Sequence, residues 1–221
     1  MKINNYIEHT ILKPDCTNKD IEKLVQEAIQ YNFFGICINP CYITYAKELL
    51  KDSPVKLVTV VNFPLASNSI SMTLHQTDLS LKMGADEIDT VLNIAEMKNQ
   101  NYKKVFEDIK QTKSVCCDNN LKVILETDLL TKEEIACASK IAADAGANFI
   151  KTSTGFVKNG IGATVENVEI MHSAISGYDV QIKASGGIKD FNKAKALIEA
   201  GAVRLGTSSG VEIMLGEEQN V

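Results

Sequence analysis

The amino-acid sequence predicts an α/β protein of the TIM-barrel class, a single-domain (β/α)8 barrel over residues 1–221. Eight apolar, β-branched segments alternate with segments of helical periodicity, at about 28 residues per strand–helix unit. A doubly wound sheet would show the same alternation. However, no complete Gly-x-Gly-x-x-Gly opens a helix after a strand, because Gly160-Ile161-Gly162 lacks the third glycine. The barrel is therefore favoured.

The predicted elements follow from hydrophobic periodicity and from their boundary residues. The predicted strands cover residues 6–12, 35–39, 55–61, 87–92, 122–126, the segment around Lys151, 180–183 and 203–206. The predicted helices cover residues 21–29, 42–50, 71–83, 102–117, 131–145, 165–175 and a last one near 192–200. Thr131 and Glu134 form a capping-box pattern at the start of the fifth of these helices.

One turn sequence occurs three times and relates distant positions. A helix ends on a glycine and leads into a strand at Gly84, Gly146 and Gly201. Five residues beyond each glycine lie Asp89, Lys151 and Gly206. Because side chains alternate along a strand, an equal offset predicts comparable heights and the same face. If that face is the barrel interior, Asp89 and Lys151 point toward a common axis.

Lys151 lies in a short apolar strand, where lysine is seldom buried. Burial disfavours the ammonium form, and the neutral amine can attack a carbonyl to form a Schiff base. Lys183 follows one strand–helix unit later, and two inward lysines on neighbouring strands favour loss of a proton from one of them. Asp89 could pair with Lys183 or transfer protons beside the imine. Alternatively, the lysines face solvent or form structural ion pairs with Asp89 or Glu126.

Two glycine-rich loops follow the last two strands, where barrels often bind phosphate. Gly186-Gly187 follows the seventh strand, and the segment 206–210 (GTSSG) follows the eighth. Small residues, backbone N–H groups and hydroxyls suit a phosphate group. These loops and the lysines together predict a Schiff-base enzyme for a small phosphorylated carbonyl compound.

Composition restricts the other possible partners. The net charge of −5 argues against a general nucleic-acid or membrane-surface role. No apolar run reaches membrane-spanning length and the start has no signal-peptide core, so we expect a cytoplasmic protein. The six cysteines and three histidines are scattered, without the spacing of a zinc site or a disulfide framework. We therefore predict no metal.

The sequence resembles the deoxyribose-phosphate aldolases over nearly its whole length. The matching motifs, in the family's order, are residues 8–15 (EHTILKPD), 61–64 (VNFP), 86–89 (DEID), 125–127 (LET), 151–155 (KTSTG), 183–187 (KASGG) and 206–209 (GTSS). The resemblance implies reversible cleavage of 2-deoxy-D-ribose 5-phosphate to D-glyceraldehyde 3-phosphate and acetaldehyde, without metal or organic cofactor. It also implies a homodimer.

The resemblance further implies roles for individual residues. Lys151 would form the imine, Lys183 would favour its neutral form, and Asp89 would complete a proton relay. The implied phosphate pocket consists of Gly155, Gly186, Gly187, Gly206, Ser208 and Ser209. Cys37 matches a cysteine near the family's active site, although simple core packing is the preferred interpretation.

The chain departs from the family pattern at three places. Glu8 replaces the usual Asp at the end of the first strand, which is expected to alter hydrogen bonding around the substrate. Phe156 stands where some members carry lysine, so phosphate would depend more on backbone N–H groups. The C-terminal segment 216–221 lacks the terminal tyrosine of some longer members. Two alternatives stay open: a phosphosugar isomerase or epimerase on the same barrel, and a binding protein without activity.

Overall fold

The computed structural model describes residues 2–219 of the chain. Met1, Asn220 and Val221 lie outside the described residues, so the predicted domain 1–221 and the segment 216–221 are described only in part. None of the helices between residues 2 and 219 combines the length and the apolar composition needed to cross a membrane.

Eight parallel strands form a closed barrel in which each strand pairs with its neighbours in sequence and β8 pairs with β1. Strands β1 to β8 are Ile7–Ile11, Gly35–Ile38, Lys56–Val61, Glu87–Val91, Asn120–Ile124, Phe149–Lys151, Gln181–Ser185 and Arg204–Thr207. Helices α1 to α9 are Asn18–Gln30, Ile43–Leu49, Ile70–Lys82, Ile94–Lys98, Tyr102–Cys116, Lys132–Asp144, Val165–Ala174, Phe191–Glu199 and Gly210–Gln219. The predicted (β/α)8 fold is confirmed.

Most element boundaries agree with the predictions within two residues, but two helices were missed. The short helix α4 lies in the connection after β4, and α9 follows β8. The prediction that the helix near 192–200 is the last one was therefore wrong. Glycines at both Gly210 and Gly216 lower the helix propensity of α9, so its sequence resembles a loop. Packing supplies the missing stabilisation, since Ile213 is buried in the main core.

Local sequence signals explain how the helices begin and end. Thr131 and Glu134 form the predicted capping box at the start of α6, and Thr17 with Asp20 forms another at α1. The three turn glycines all have positive φ, between 87° and 118°, which a residue with a side chain adopts at a cost. Each of the three turns therefore uses a glycine with positive φ to end a helix before the next strand.

Hydrophobic side chains fill the space between the strands and the helices, whereas both apolar and ionisable side chains fill the barrel interior. Inside the barrel, a small apolar cluster of Leu12, Cys37, Val58 and Val60 lies beside ionisable groups. Lys151 is the register partner of Lys183, and residues paired in parallel strands point to the same side. The pairing of neighbouring strands therefore directs several charged side chains inward.

Candidate active site

Lys151, Lys183 and Asp89 meet in the barrel interior. The Nζ of Lys151 donates to Oδ2 of Asp89 over 2.8 Å, and the Nζ of Lys183 donates to the same oxygen over 2.7 Å. Each of these residues is at most 3% exposed. The shared face inferred from the repeated turn is thus present, and it brings the two amines to one carboxylate oxygen.

A third lysine, Lys122, completes this cluster and was missed by the sequence analysis. It is fully buried, and its Nζ lies 3.0 Å from Oδ1 of Asp89, 2.5 Å from Oε2 of Glu87 and 3.6 Å from Oε1 of Glu8. Its signal was present in the sequence, because Lys122 lies in an apolar strand just as Lys151 does. The register partner of Lys122 is Asp89, a pairing that no spacing along the chain reveals.

Glu8 occupies a different place from the one expected. It is the second residue of β1, is fully buried inside the barrel, and accepts a hydrogen bond from the Nζ of Lys183. The expectation that Glu8 lies at the end of the first strand was wrong. Its carboxylate holds Lys183, and Glu8 is not among the residues that line the pocket described below.

The buried charges stabilise one another. Burial raises the pKa of Asp89, but the positive charges of Lys122, Lys151 and Lys183 outweigh burial and hold this pKa well below its ordinary value. For Lys183, burial lowers the pKa, and the carboxylates of Asp89 and Glu8 reverse this effect and raise it. Burial likewise lowers the pKa of Lys122, which its carboxylate neighbours raise overall. Asp89 is therefore an anion at neutral pH, and Lys122 and Lys183 are cations.

Lys151 differs from the other two lysines in its partners and its access. Among the carboxylates that the structure describes, Asp89 alone forms an ion pair with Lys151, through an oxygen that Lys183 shares. Lys183 contacts two carboxylates and Lys122 contacts three. Lys151 is also the one of the three that lines the pocket. It is the amine that the cluster holds least firmly.

Gly206 makes room for Lys183. A Cβ at this position would lie 3.1 Å from Cε of Lys183 and 3.0 Å from Cβ of Ser185. Any side chain at this position would push against the lysine stem, so the close approach explains the glycine. Gly206 also lies on the wall of the pocket.

A cavity of about 640 Å³ opens at the carboxyl ends of the strands. Of the residues predicted for a phosphate pocket, the lining includes Gly155, Gly186, Gly187, Gly206 and Ser208. Ser209 is not part of the lining. Its N–H donates to Oγ1 of Thr207 over 2.9 Å, and the residue immediately precedes α9. Lys13, Lys23 and Lys189 also line the cavity, as do the carboxylates of Asp20 and Glu27, and Glu27 forms an ion pair with Lys23 over 3.7 Å.

An aromatic pair lies at the cavity. Phe156 is half exposed and lines it, and its ring packs edge to face against Phe63 with the centroids 5.3 Å apart. Phe63 in turn packs against the apolar cluster inside the barrel. The cavity thus has an apolar edge beside its glycine-rich loops.

Glu126 does not pair with a lysine, contrary to one of the alternatives considered above. Its two carboxylate oxygens accept from the backbone N–H of Thr154 over 3.1 and 3.3 Å, and one also accepts from the Thr154 hydroxyl. Burial raises the pKa of Glu126 against the effect of these hydrogen bonds. The backbone of Glu126 has a φ of 60°, a conformation that costs energy in a non-glycine residue. Glu126 thus fixes the loop after β6.

Cys37 faces the barrel interior and is fully buried. Burial raises the pKa of its thiol to about 11, so the thiol is protonated at neutral pH. All six cysteines lie within the described residues and are free thiols. Among residues 2–219, no group of three or more His, Cys, Asp or Glu side chains is arranged to hold a metal ion. Independence from metal stays a prediction.

A closed parallel barrel with a cluster of ionisable side chains beside a cavity at its carboxyl end defines the class of (β/α)8-barrel enzymes. The model of one family, described as DeoC/LacD family aldolase, matches residues 3–216. The chain belongs to this family of aldolases.

Individual relatives agree with this assignment. A deoxyribose-phosphate aldolase from Staphylococcus carnosus is 46% identical over 220 residues, which cover 100% of this chain and 99% of the relative. The solved structure of QR15, an aldolase, superposes with a TM-score of 0.92 at 37% identity, covering 99% of this chain and 96% of that one. A deoxyribose phosphate aldolase from Aeropyrum pernix, described as a unique tetramer, has a TM-score of 0.89 at 29% identity, with coverages of 99% and 92%.

Proposed function

We propose that this protein is a deoxyribose-phosphate aldolase that reversibly cleaves 2-deoxy-D-ribose 5-phosphate to D-glyceraldehyde 3-phosphate and acetaldehyde, in deoxyribose catabolism. It works as one catalytic domain over residues 1–221 in the cytoplasm, where its free thiols suit a reducing environment. Full-length similarity to curated deoxyribose-phosphate aldolases supports the substrate. The observation that carries the mechanism is the position of Lys151, which lines the cavity while carboxylates hold Lys122 and Lys183.

The reaction begins when the neutral amine of Lys151 attacks C1 of the open-chain sugar. Loss of water gives an iminium ion, which accepts the electron pair of the C2–C3 bond as that bond breaks. The C3 hydroxyl loses its proton and becomes the aldehyde of D-glyceraldehyde 3-phosphate. The enamine that remains takes a proton at C2, and hydrolysis releases acetaldehyde and the free lysine.

Asp89 and Lys183 adjust the charge at the reacting nitrogen. The positive charge of Lys183 disfavours a second ammonium at Lys151 and so favours the nucleophilic form. Asp89 accepts from Lys151 and transfers protons to and from the substrate through water. Both side chains are rigidly held by the buried cluster, so the charges require little rearrangement during the reaction.

The phosphate group binds at the opposite end of the cavity. The glycines Gly155, Gly186, Gly187 and Gly206 line the cavity together with Ser208 and Lys189. Backbone N–H groups of such loops and a lysine charge suit a phosphate group. Ser209 acts from the position immediately before α9, beside the pocket. Phe156 supplies no charge, so the phosphate depends on the loops and on the lysines at the rim.

The distribution of polar and apolar side chains on α3 supports a homodimer. The buried side of α3 carries Thr73, Thr77 and Ser80, whereas Met72 and Leu79 are 59% and 48% exposed. Exposed apolar side chains on a helix that buries polar ones are typical of a surface covered by another subunit. We propose a second copy of this chain as the partner.

A turnover assay tests the proposed function. We expect the protein to release acetaldehyde from 2-deoxy-D-ribose 5-phosphate at the same rate with and without a chelator. Lys151→Leu should lower the rate by more than about 10³-fold, because it removes the nucleophile. A circular dichroism spectrum like that of the wild type would show that the variant is folded. Substantial activity in folded Lys151→Leu would exclude Lys151 as the nucleophile.

A further inference from the structure

The loop after β5 carries a second carboxylate, Asp128 in addition to Glu126, that accepts hydrogen bonds from the loop after β6. Oδ1 of Asp128 accepts the N–H of Ile161 over 2.8 Å, and Oδ2 accepts the N–H of Gly162 over 3.0 Å. Glu126 holds the beginning of the same loop at Thr154. The two carboxylates therefore fasten both ends of the loop that runs from β6 to α7. Asp128 itself does not line the cavity.

The part of the loop that Asp128 holds packs directly on the phosphate loop after β7. A Cβ at Gly162 would lie 2.4 Å from the backbone C and O of Gly186, and one at Gly187 would lie 2.8 Å from the carbonyl oxygen of Ile161. The N–H of Ala163 donates to the carbonyl of Gly186 over 3.1 Å. Backbone therefore rests on backbone, and a displacement of either loop is transmitted to the other.

The peptide between Ile161 and Gly162 connects Asp128 to this contact. In a planar trans peptide, the N–H and the C=O point in opposite directions. The N–H of Gly162 points to Asp128, so the carbonyl of Ile161 points away from Asp128, and this carbonyl abuts Gly187. The side chain of Ile161 is 69% exposed and offers little packing to hold this peptide in place. Its orientation depends on the carboxylate.

We infer that Asp128 is a positioning residue for the phosphate end of the substrate. This inference rests on the proposed function. Asp128 fixes the Ile161–Gly162 peptide, and this peptide fixes Gly186 and Gly187, whose N–H groups bind phosphate. The carboxylate acts through backbone geometry and leaves the reacting end at Lys151 unaffected.

Kinetics with two substrates test the inference. Asp128→Ala should raise the KM for 2-deoxy-D-ribose 5-phosphate about tenfold, because two backbone N–H groups lose their acceptors. The kcat/KM for unphosphorylated 2-deoxy-D-ribose should stay within about twofold of the wild type. Asp128→Asn keeps one acceptor oxygen, so its KM for the phosphorylated sugar should lie between those of the wild type and Asp128→Ala. An unchanged KM, or an equal loss with both substrates, would overturn the inference.

Glu134→Ala is the matched control. It removes a carboxylate that also accepts a backbone N–H after β5, that of Thr131, but contacts neither phosphate loop. Its KM for the phosphorylated sugar should equal that of the wild type, and a comparable increase in KM would contradict the account.

Calorimetry with inorganic phosphate separates this inference from the proposed function. No cleavage of the phosphorylated sugar by the wild type would refute the function, whereas equal phosphate affinity of the wild type and Asp128→Ala would refute the role of Asp128.

Discussion

Three buried lysines surround Asp89, and their roles follow from how each is held. Removing one member of a buried charge cluster leaves its partners uncompensated, which is far more costly than losing a surface ion pair. Lys122, which contacts three carboxylates, is the most firmly held of the three. We therefore interpret Lys122 as the fixed counter-charge of Asp89, held in place while Lys151 reacts.

The charge of Lys183 should determine the pH range of activity. Its pKa is raised by Asp89 and Glu8, so Lys183 stays positive throughout an ordinary assay range. Lys183→Leu removes this positive charge, which shares an oxygen of Asp89 with the reacting amine of Lys151. We expect the pH–rate profile to move upward by about one pH unit. Lys132→Leu, a substitution at an exposed lysine, should leave the profile in place, and an unmoved profile in Lys183→Leu would exclude the electrostatic role.

Cys37 should resist modification. Burial raises the pKa of its thiol to about 11, so the reactive thiolate is scarce at pH 7.5. Iodoacetamide treatment of the native protein should label the exposed Cys41 and Cys117 and leave Cys37 unlabelled, as read by peptide mass spectrometry. Labelling of Cys37 in urea would serve as the positive control. Rapid labelling in the folded state would show that this part of the barrel interior is open.

At the scale of elements, the sequence was informative wherever local chemistry defines a boundary. Capping residues and turn glycines located the helix ends well, because these effects act within a few residues. The prediction for β5 was shifted by two residues. The predicted strand covers residues 122–126, whereas the observed strand is Asn120–Ile124. The positive φ of Glu126 ends the strand, and that conformation is imposed by contacts with the neighbouring loop rather than by its own sequence.

The capping box of α6 gives a measurable contribution to stability. Oγ1 of Thr131 accepts the N–H of Glu134 over 3.2 Å. Thr131→Ala should lower the free energy of unfolding by about 1 kcal/mol, because the first turn of α6 loses this acceptor. Thr131→Ser keeps the hydroxyl and is the matched variant. Urea titrations that give the same midpoint for Thr131→Ala and the wild type would show that the cap contributes nothing.

At the scale of the whole molecule, the fold was predictable and half of the charge cluster was not. The alternation of strands and helices predicts a barrel, and the repeated turn relates Asp89 to Lys151. The inclusion of Lys122 and Glu8 depends on how the strands are staggered around the closed barrel. That stagger arises from the closure of the sheet, and a single sequence carries no local signal for it.

The proposed dimer makes a prediction at the same scale. Leu79→Asp places a charge on the exposed apolar side of α3, where burial by a second subunit would be unfavourable. Light scattering after size-exclusion chromatography should show a dimer for the wild type and a monomer for the variant. Lys195→Asp changes an exposed charge on α8, away from α3, and should stay dimeric. A wild-type monomer, or a dimeric Leu79→Asp, would contradict an interface through α3.

The most direct test of the account locates the imine among the three buried lysines. The folded protein would be incubated with acetaldehyde and borohydride, digested and mapped by mass spectrometry. We predict a single two-carbon adduct on Lys151 and none on Lys122 or Lys183, because Lys151 is the one of the three that lines the cavity. An adduct on either of the other lysines, or no adduct in a folded protein, would contradict the mechanism proposed for this barrel.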